Sequence, residues 1–97
     1  MITAITTYTI KPGAAPLFSS FFTEFLGKSS QSPGCISINA YQDERNEGLF
    51  YSVGNWDNEA ARNEWVNSQL YNYAAAVVAK LLLKEPETNY CKQILSV

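Results

Sequence analysis

The stretch that most constrains the fold of this chain runs from Phe50 to Trp65, FYSVGNWDNEAARNEW, where a strand pattern leads directly into a helix pattern. Aromatic and β-branched residues favour a pleated, half-buried strand. This strand pattern stops at Trp56, because the next three residues are polar. Asn58 can accept a hydrogen bond from a free backbone N–H of the following turn, and Glu59 places negative charge at the positive end of the helix dipole. The sequence therefore predicts a tight strand-to-helix junction here.

The predicted helix fixes the direction of the second tryptophan. Ala61 and Trp65 are four residues apart, so they share one face of the helix. Trp65 is therefore expected to be held by regular structure. Trp56 is expected to fill the end of the strand as a buried structural residue.

Strands and a helix are also predicted before this stretch. Residues 2–10 alternate with one clearly apolar face, and Pro16 suits the first turn of a helix that follows. Phenylalanines and leucines at helical spacing extend this helix to about Lys28, and a Ser/Pro/Gly loop follows it. Residues 35–42 form a second alternating strand, and the polar turn 43–48 joins it to the strand ending at Trp56 as an antiparallel hairpin.

After Trp65 the helical pattern weakens at residues 67–69 and resumes at Leu70. Its predicted buried side carries apolar residues, and Pro86 is expected to end it. These residues are Leu70, Tyr73, Ala74, Val77 and Leu81. A fourth strand is predicted over Tyr90–Val97, whose Cys91, Leu95 and Val97 would share the second face of the sheet with Ile5.

The order β-α-β-β-α-β predicts an α+β, ferredoxin-like fold with both helix regions on one face of an antiparallel sheet. The usual strand order of that fold puts the second and fourth strands at opposite edges. Cys35 and Cys91 are therefore expected to lie too far apart to form a disulfide.

Composition favours one domain that associates with a second copy. A chain of 97 residues forms a single domain, and its 46% hydrophobic and 16% charged content is more apolar than a small monomer usually hides. The partly apolar second face of the sheet offers a surface for another subunit. We therefore expect a homodimer.

Several classes of partner are disfavoured. The net charge is −2, and the seven basic residues are scattered, so neither nucleic acid nor an anionic membrane is expected as a partner. The N-terminus has no signal-peptide pattern and no apolar run is long enough to span a bilayer, which predicts a cytoplasmic protein. Histidine is absent and no C-x-x-C spacing occurs, so we expect no metal, haem or other cofactor.

Taken in order, Pro33-Gly34-Cys35 at the second strand, Trp56 at the end of the third and residues 58–61 at the helix start resemble the antibiotic biosynthesis monooxygenase family. The resemblance covers nearly all of residues 1–97. It implies a dimeric α+β barrel whose sheets pack face to face, with a pocket in each subunit between sheet and helices. Members of that family include cofactor-free oxygenases of quinols and anthrones, haem-degrading enzymes and a signal-degrading branch.

The chain departs from two branches of this family at key positions. Many members have a histidine nine residues after the junction tryptophan, where this chain has Trp65. The haem-degrading branch has a tryptophan in a setting similar to residues 63–68, but its axial histidine would fall at Ala75 and its strand-one asparagine at Thr6. Since alanine cannot ligate iron, haem binding is not expected.

The resemblance implies a pocket with apolar walls and a few hydrogen-bonding groups, suited to a small aromatic molecule. Five residues are candidates for its lining: Thr6, Tyr8, Trp65, Tyr71 and Tyr73. Packing in the core is the alternative for the aromatic ones. No catalytic base is apparent. Two functions stay open: a cofactor-independent monooxygenase of a quinol or anthrone-like substrate, and a non-catalytic dimeric small-molecule-binding module.

Overall fold

A computed structural model describes residues 1–97 and has four strands and three helices. In chain order these are β1 (Ile2–Thr9), α1 (Ala15–Ser29), β2 (Cys35–Gln42), β3 (Leu49–Trp56), α2 (Glu59–Val66), α3 (Gln69–Ala79) and β4 (Glu87–Cys91). The predicted limits of β2 and the end of β3 at Trp56 are confirmed.

The four strands form one antiparallel sheet in the order β2-β3-β1-β4. This order and the helix placement confirm the predicted α+β, ferredoxin-like fold. β2 and β4 are the edge strands, and both Cys35 and Cys91 are free, as expected.

The β2–β3 hairpin is closed by a turn that the sequence predicted. Asp43 Oδ1 accepts hydrogen bonds from the backbone N–H groups of Arg45 (2.8 Å) and Asn46 (3.0 Å). A carboxylate that binds the backbone two and three residues ahead stabilises such a turn. The turn sets the register that pairs Ala40 with Ser52.

The core lies between the sheet and α1. Phe18 stacks on Phe22 with ring centroids 4.7 Å apart, and Phe50 of β3 contacts Phe18 at 4.8 Å. All three rings are at most 3% exposed. The phenylalanine stripe of α1 is thus the main partner of the sheet, as its spacing predicted.

The junction after β3 is capped as predicted, and the helical region breaks where its pattern weakens. Asn58 Oδ1 accepts a hydrogen bond from the backbone N–H of Ala61 (2.9 Å), which starts α2. Ser68 Oγ accepts one from the backbone N–H of Tyr71 (3.2 Å), which starts α3. These two caps give α2 and α3 separate directions.

The predicted buried side of α3 is correct at Ala74, while Leu70 and Leu81 pack against the core, but it is wrong at Tyr73. The fully buried residues are Ala74 and Val78, and Tyr71 lies on the same side, whereas Tyr73 is 65% exposed. The apolar residues of α3 extend around much of its circumference, so spacing alone did not fix which of them faces the sheet.

The end of α3 and the limits of β4 also differ from the prediction. α3 ends at Ala79, because residues 81–83 pair with the end of β1: Lys11 N–H donates to the Leu81 carbonyl and Leu83 N–H donates to the Thr9 carbonyl. β4 then spans Glu87–Cys91 in place of 90–97, so Leu95 and Val97 lie beyond the sheet.

The helices cover one face of the sheet and leave the other open. On β1 and β3 the open face carries the paired Ile5 and Val53, among threonines and Tyr51. The sheet and the helices make two layers, about 20 Å across the thinnest dimension. No helix is both long enough and apolar enough to cross a membrane.

Candidate functional site

Two adjoining cavities lie between the sheet and the helices. A narrow cavity of about 50 Å³ lies over the middle of the sheet beneath α2, and a wide cavity of about 380 Å³ lies between β1, β4, α1 and α3. Both are lined by Thr6, Tyr8, Tyr71 and Thr88. Because they share these residues, we treat the narrow and wide cavities as two parts of one site. The volume of the wide cavity is within the range of small-molecule pockets.

A row of hydroxyl groups crosses the floor of the site. Ser52 of β3, Thr6 of β1 and Thr88 of β4 lie directly opposite one another in the sheet, so their side chains share the face toward the helices. Thr6 Oγ1 and Thr88 Oγ1 are 2.9 Å apart, within hydrogen-bonding distance. Each hydroxyl can both donate and accept a hydrogen bond, so this row can bind either a donor or an acceptor group of a ligand.

Aromatic rings form the wall of the narrow cavity. Trp65 contacts Trp56 at 5.1 Å, stacks on Phe25 at 5.9 Å and meets Tyr71 edge-on at 4.8 Å, all between ring centroids. Gly54 makes room for Trp56, because a Cβ atom there would lie 3.2 Å from the Trp56 indole nitrogen. The buried Trp65 Nε1 has no acceptor in the protein.

Tyr8 connects the hydroxyl floor to the phenylalanine core. Its ring lies 5.0 Å from Phe22 and 5.6 Å from Phe18. Burial raises the pKa of Tyr8 above its usual value, and hydrogen bonding with the Ser52 side chain only partly opposes this. Burial also raises the pKa of Tyr71. At neutral pH both tyrosines are therefore protonated hydrogen-bond donors and not bases.

One charged side chain lines the narrow cavity. Arg62 projects from α2 with 12% of its side chain exposed, and its guanidinium lies 4.2 Å from the centre of the Tyr90 ring. Arg62 Nη2 donates to Asn63 Oδ1 (2.9 Å), whereas its buried Nε has no acceptor in the protein. The one carboxylate along either cavity is the exposed Glu85, at the wide cavity.

Four of the five candidate residues come together at this site: Thr6, Tyr8, Trp65 and Tyr71 line the cavities. Tyr73 does not. It lies on the outer side of α3 beside Phe21, with ring centroids 6.3 Å apart. Its predicted placement in the pocket is therefore corrected, for the same reason that the buried side of α3 was misassigned.

Several other lining residues were not among the predicted candidates, including Ser52, Trp56, Arg62, Thr88 and Tyr90. Arg62 is three residues before Trp65, so helical spacing could have placed it on the same side. Alternation along β3 could have placed Ser52 with Trp56, which is buried as expected but also lines the cavity. Thr88 was missed because the predicted β4 began only at Tyr90, and Tyr90 itself was placed in that strand but not assigned to the site.

The described residues contain no group of three potential metal-ligating side chains. The only two thiols are free, and burial raises the pKa of Cys35, so that thiol is not activated. The site can thus bind a flat apolar molecule, donate hydrogen bonds to its oxygens and place one positive charge near it.

The fold and the site define a class: small α+β domains with an aromatic-lined interior pocket between a four-stranded sheet and its helices. The sequence profile of the antibiotic biosynthesis monooxygenase family matches residues 1–77, which is most of the chain. The protein belongs to that family, and the resemblance found in the sequence is confirmed.

Solved structures show the same fold. A single-site mutant of SnoaB, a cofactor-independent oxygenase from Streptomyces nogalater, superposes with a TM-score of 0.88 at 14% identity, covering 99% of this chain and 95% of that one. A conserved protein from Methanosarcina mazei Go1 gives 0.88 at 20% identity, covering 95% and 91%. A protein from Pseudomonas aeruginosa gives 0.88 at 22% identity, covering 97% and 94%. The comparison with curated proteins gives no match.

Proposed function

We propose that this protein is a cofactor-independent monooxygenase acting on a small aromatic quinol or anthrone-like substrate in the pocket between sheet and helices. The observation that carries the proposal is the combination, in one site, of aromatic walls with a floor of neutral hydroxyl donors. Family membership and the fold shared with a cofactor-independent oxygenase support it.

Such a reaction needs an electron-rich substrate and molecular oxygen. An anthrone methylene loses two hydrogens and gains one oxygen atom, and the second oxygen atom leaves as water, so dioxygen is the only oxidant required. The substrate must first lose a proton to become an enolate. Hydroxyl donors stabilise the negative oxygen of that enolate, and apolar walls exclude water.

Different residues of the site bind the aromatic ring and the substrate oxygens. Phe25, which lines the wide cavity, offers a flat surface against which an aromatic ring can stack, and Trp65 packs against Phe25 and lines the narrow cavity. Thr6, Tyr8 and Tyr71 supply hydrogen bonds to substrate oxygens while staying protonated. The proton is released to water at the wide, open end, since no base lines the narrow cavity.

The second candidate function is a non-catalytic dimeric module that binds a small aromatic molecule. The same site favours it through one observation: the narrow cavity has no histidine or carboxylate to remove a proton. In both cases we propose a homodimer that requires no cofactor.

Oxygen uptake separates the two functions. A panel of quinols and anthrones is tested with chelator-treated protein, and the spontaneous rate is subtracted. Monooxygenation predicts one oxygen molecule consumed per product, and ¹⁸O₂ labels the product. Tyr8→Phe should reduce the rate about tenfold or more through the lost donor. Tyr73→Phe is the matched control, because it removes a tyrosine hydroxyl outside the cavities. Binding without uptake by any compound would favour the binding module.

A further inference from the structure

The narrow cavity contains a positive charge that the protein does not neutralise. Arg62 is its only charged lining residue. The nearest carboxylate oxygen, Glu59 Oε1, is 4.0 Å from Arg62 Nη2 and belongs to a side chain that is 76% exposed. A solvent-exposed partner at that distance contributes little to stabilising a charge that is itself mostly buried.

The guanidinium of Arg62 also has N–H donors without an acceptor in the protein. Arginine carries five N–H groups, and Arg62 directs one nitrogen to Asn63, while the buried Nε has no acceptor in the protein. Trp65 Nε1, in the wall of the same cavity, is likewise a buried donor without an acceptor in the protein. Two unpaired donors and one cation favour an occupant that accepts hydrogen bonds and carries negative charge.

The size of the cavity narrows the choice of occupant. A volume of about 50 Å³ exceeds the roughly 10 to 15 Å³ that holds one water molecule, but is well below the roughly 150 Å³ of a cavity that holds a benzene ring. The wide cavity of about 380 Å³ next to it can hold the rings. An oxygen substituent could thus reach the narrow part while the rings stay in the wide part.

We propose that the narrow cavity is the binding subsite for an anionic oxygen of an aromatic ligand, either a carboxylate or a phenolate, and that Arg62 is its charge partner. The ligand class of the site is then acidic aromatic compounds. This proposal rests on the proposed function only in taking the same cavities as the ligand site, and it holds whether or not the ligand is oxidised.

Arg62 has one competing role, which is structural. Its guanidinium over the Tyr90 ring ties α2 to β4, and such a contact stabilises a fold without any ligand. A structural role predicts equal effects of Arg62 on charged and neutral ligands. An anion subsite predicts a selective effect on charged ones.

The test is calorimetric titration with a matched pair of probes, 2-naphthoate and neutral 2-naphthalenemethanol. The wild-type protein should bind naphthoate about tenfold more tightly. Arg62→Gln should lose that preference while binding the alcohol within about twofold of wild type. Arg62→Lys should retain part of it, since lysine keeps the charge without the planar guanidinium. Arg45→Gln removes the same charge from an exposed turn and should change nothing.

The phenolate case is tested by measuring the binding of a nitrophenol over a pH range that spans the pKa of the nitrophenol. Its absorbance reports which form is bound, and wild type should bind the anion while Arg62→Gln should not prefer it. Equal weakening of both naphthyl probes in Arg62→Gln, or no charge preference in wild type, would overturn the proposal. Oxygen uptake is measured separately, so anion preference without turnover would count against the monooxygenase alone.

Discussion

The tyrosines of the site stay protonated at neutral pH. Tyr8 and Tyr71 face an interior where burial raises their pKa, and neither lies beside a carboxylate along the narrow cavity. A tyrosinate would be the stronger base, but burial disfavours it. Their chemical contribution at neutral pH is therefore hydrogen-bond donation to an oxygen that becomes negative.

The raised pKa of Tyr8 predicts a loss of stability at alkaline pH. Below about pH 10 the hydroxyl is protonated in both the folded and the unfolded chain. As pH rises further, the unfolded chain releases the proton first, so the free energy of unfolding falls. Tyr8→Phe should show a shallower fall in urea unfolding between about pH 9.5 and 11. Tyr73→Phe, an exposed position on the outer side of α3, is the control, and an equal slope in wild type and Tyr8→Phe would contradict the prediction.

Substitution of the two tryptophans should have different effects: Trp65→Phe should lower ligand affinity, and Trp56→Phe should lower folding stability. Trp65→Phe should weaken quinone binding about two- to tenfold, because it removes the buried indole N–H that can donate to a quinone oxygen in the narrow cavity, a contact worth about 0.5 to 1.5 kcal/mol. Trp56 is 1% exposed, so Trp56→Phe leaves a void and should cost about 1 to 3 kcal/mol of folding stability. Affinity is taken from the concentration dependence of quinone quenching of the remaining tryptophan, and stability from urea unfolding. Unchanged affinity in Trp65→Phe with binding lost in Trp56→Phe would reverse the assignment.

At the scale of elements, the sequence pattern correctly predicted those helices and strands whose limits are set by interactions between residues close together in the chain. The β2–β3 hairpin follows from alternation and a turn held by Asp43, and α2 follows from its Asn58 cap. The end of α3 is different, because residues 81–83 pair with β1, more than seventy positions earlier in the chain. A long-range pairing leaves no local pattern, so the end of α3 and the limits of β4 were predicted wrongly, and Thr88 was missed as a lining residue.

The loop before β2 gives a test of how elements are joined. Gly34 has φ +80° and faces α2, where an added Cβ would clash with the Ala61 side chain; Gly13 has φ +82° but an added Cβ would meet nothing within 4 Å. Gly13→Ala should cost about 1 kcal/mol for its backbone conformation alone. Gly34→Ala should cost at least about 1 kcal/mol more, since overpacking adds to that strain. Urea unfolding of both variants measures the difference, and equal losses would show that α2 moves aside without cost.

At the scale of the whole molecule, the isolated chain exposes more surface than a folded monomer of its size. Its accessible surface is 6423 Å², whereas the usual scaling gives about 5,500 Å² for 10.8 kDa. Only 13 of 97 residues are buried, so the core is small. The open face of the sheet, with Ile5 paired to Val53 at its centre, is the apolar surface that a second copy would cover.

We therefore expect light scattering in dilute buffer to give about twice 10.8 kDa, since obligate dimer interfaces bury about 2,000 Å² or more. Val53→Glu puts a charge at the centre of the open face and should shift the protein to monomer, because an unpaired charge cannot be buried there. Leu17→Glu makes the same kind of change on the exposed side of α1, where Leu17 is 64% exposed, and should leave the dimer intact. Circular dichroism distinguishes a folded monomer from an unfolded variant. A wild-type mass of 10.8 kDa would rule out the dimer, and dissociation by Leu17→Glu but not Val53→Glu would move the interface from the sheet to the helices.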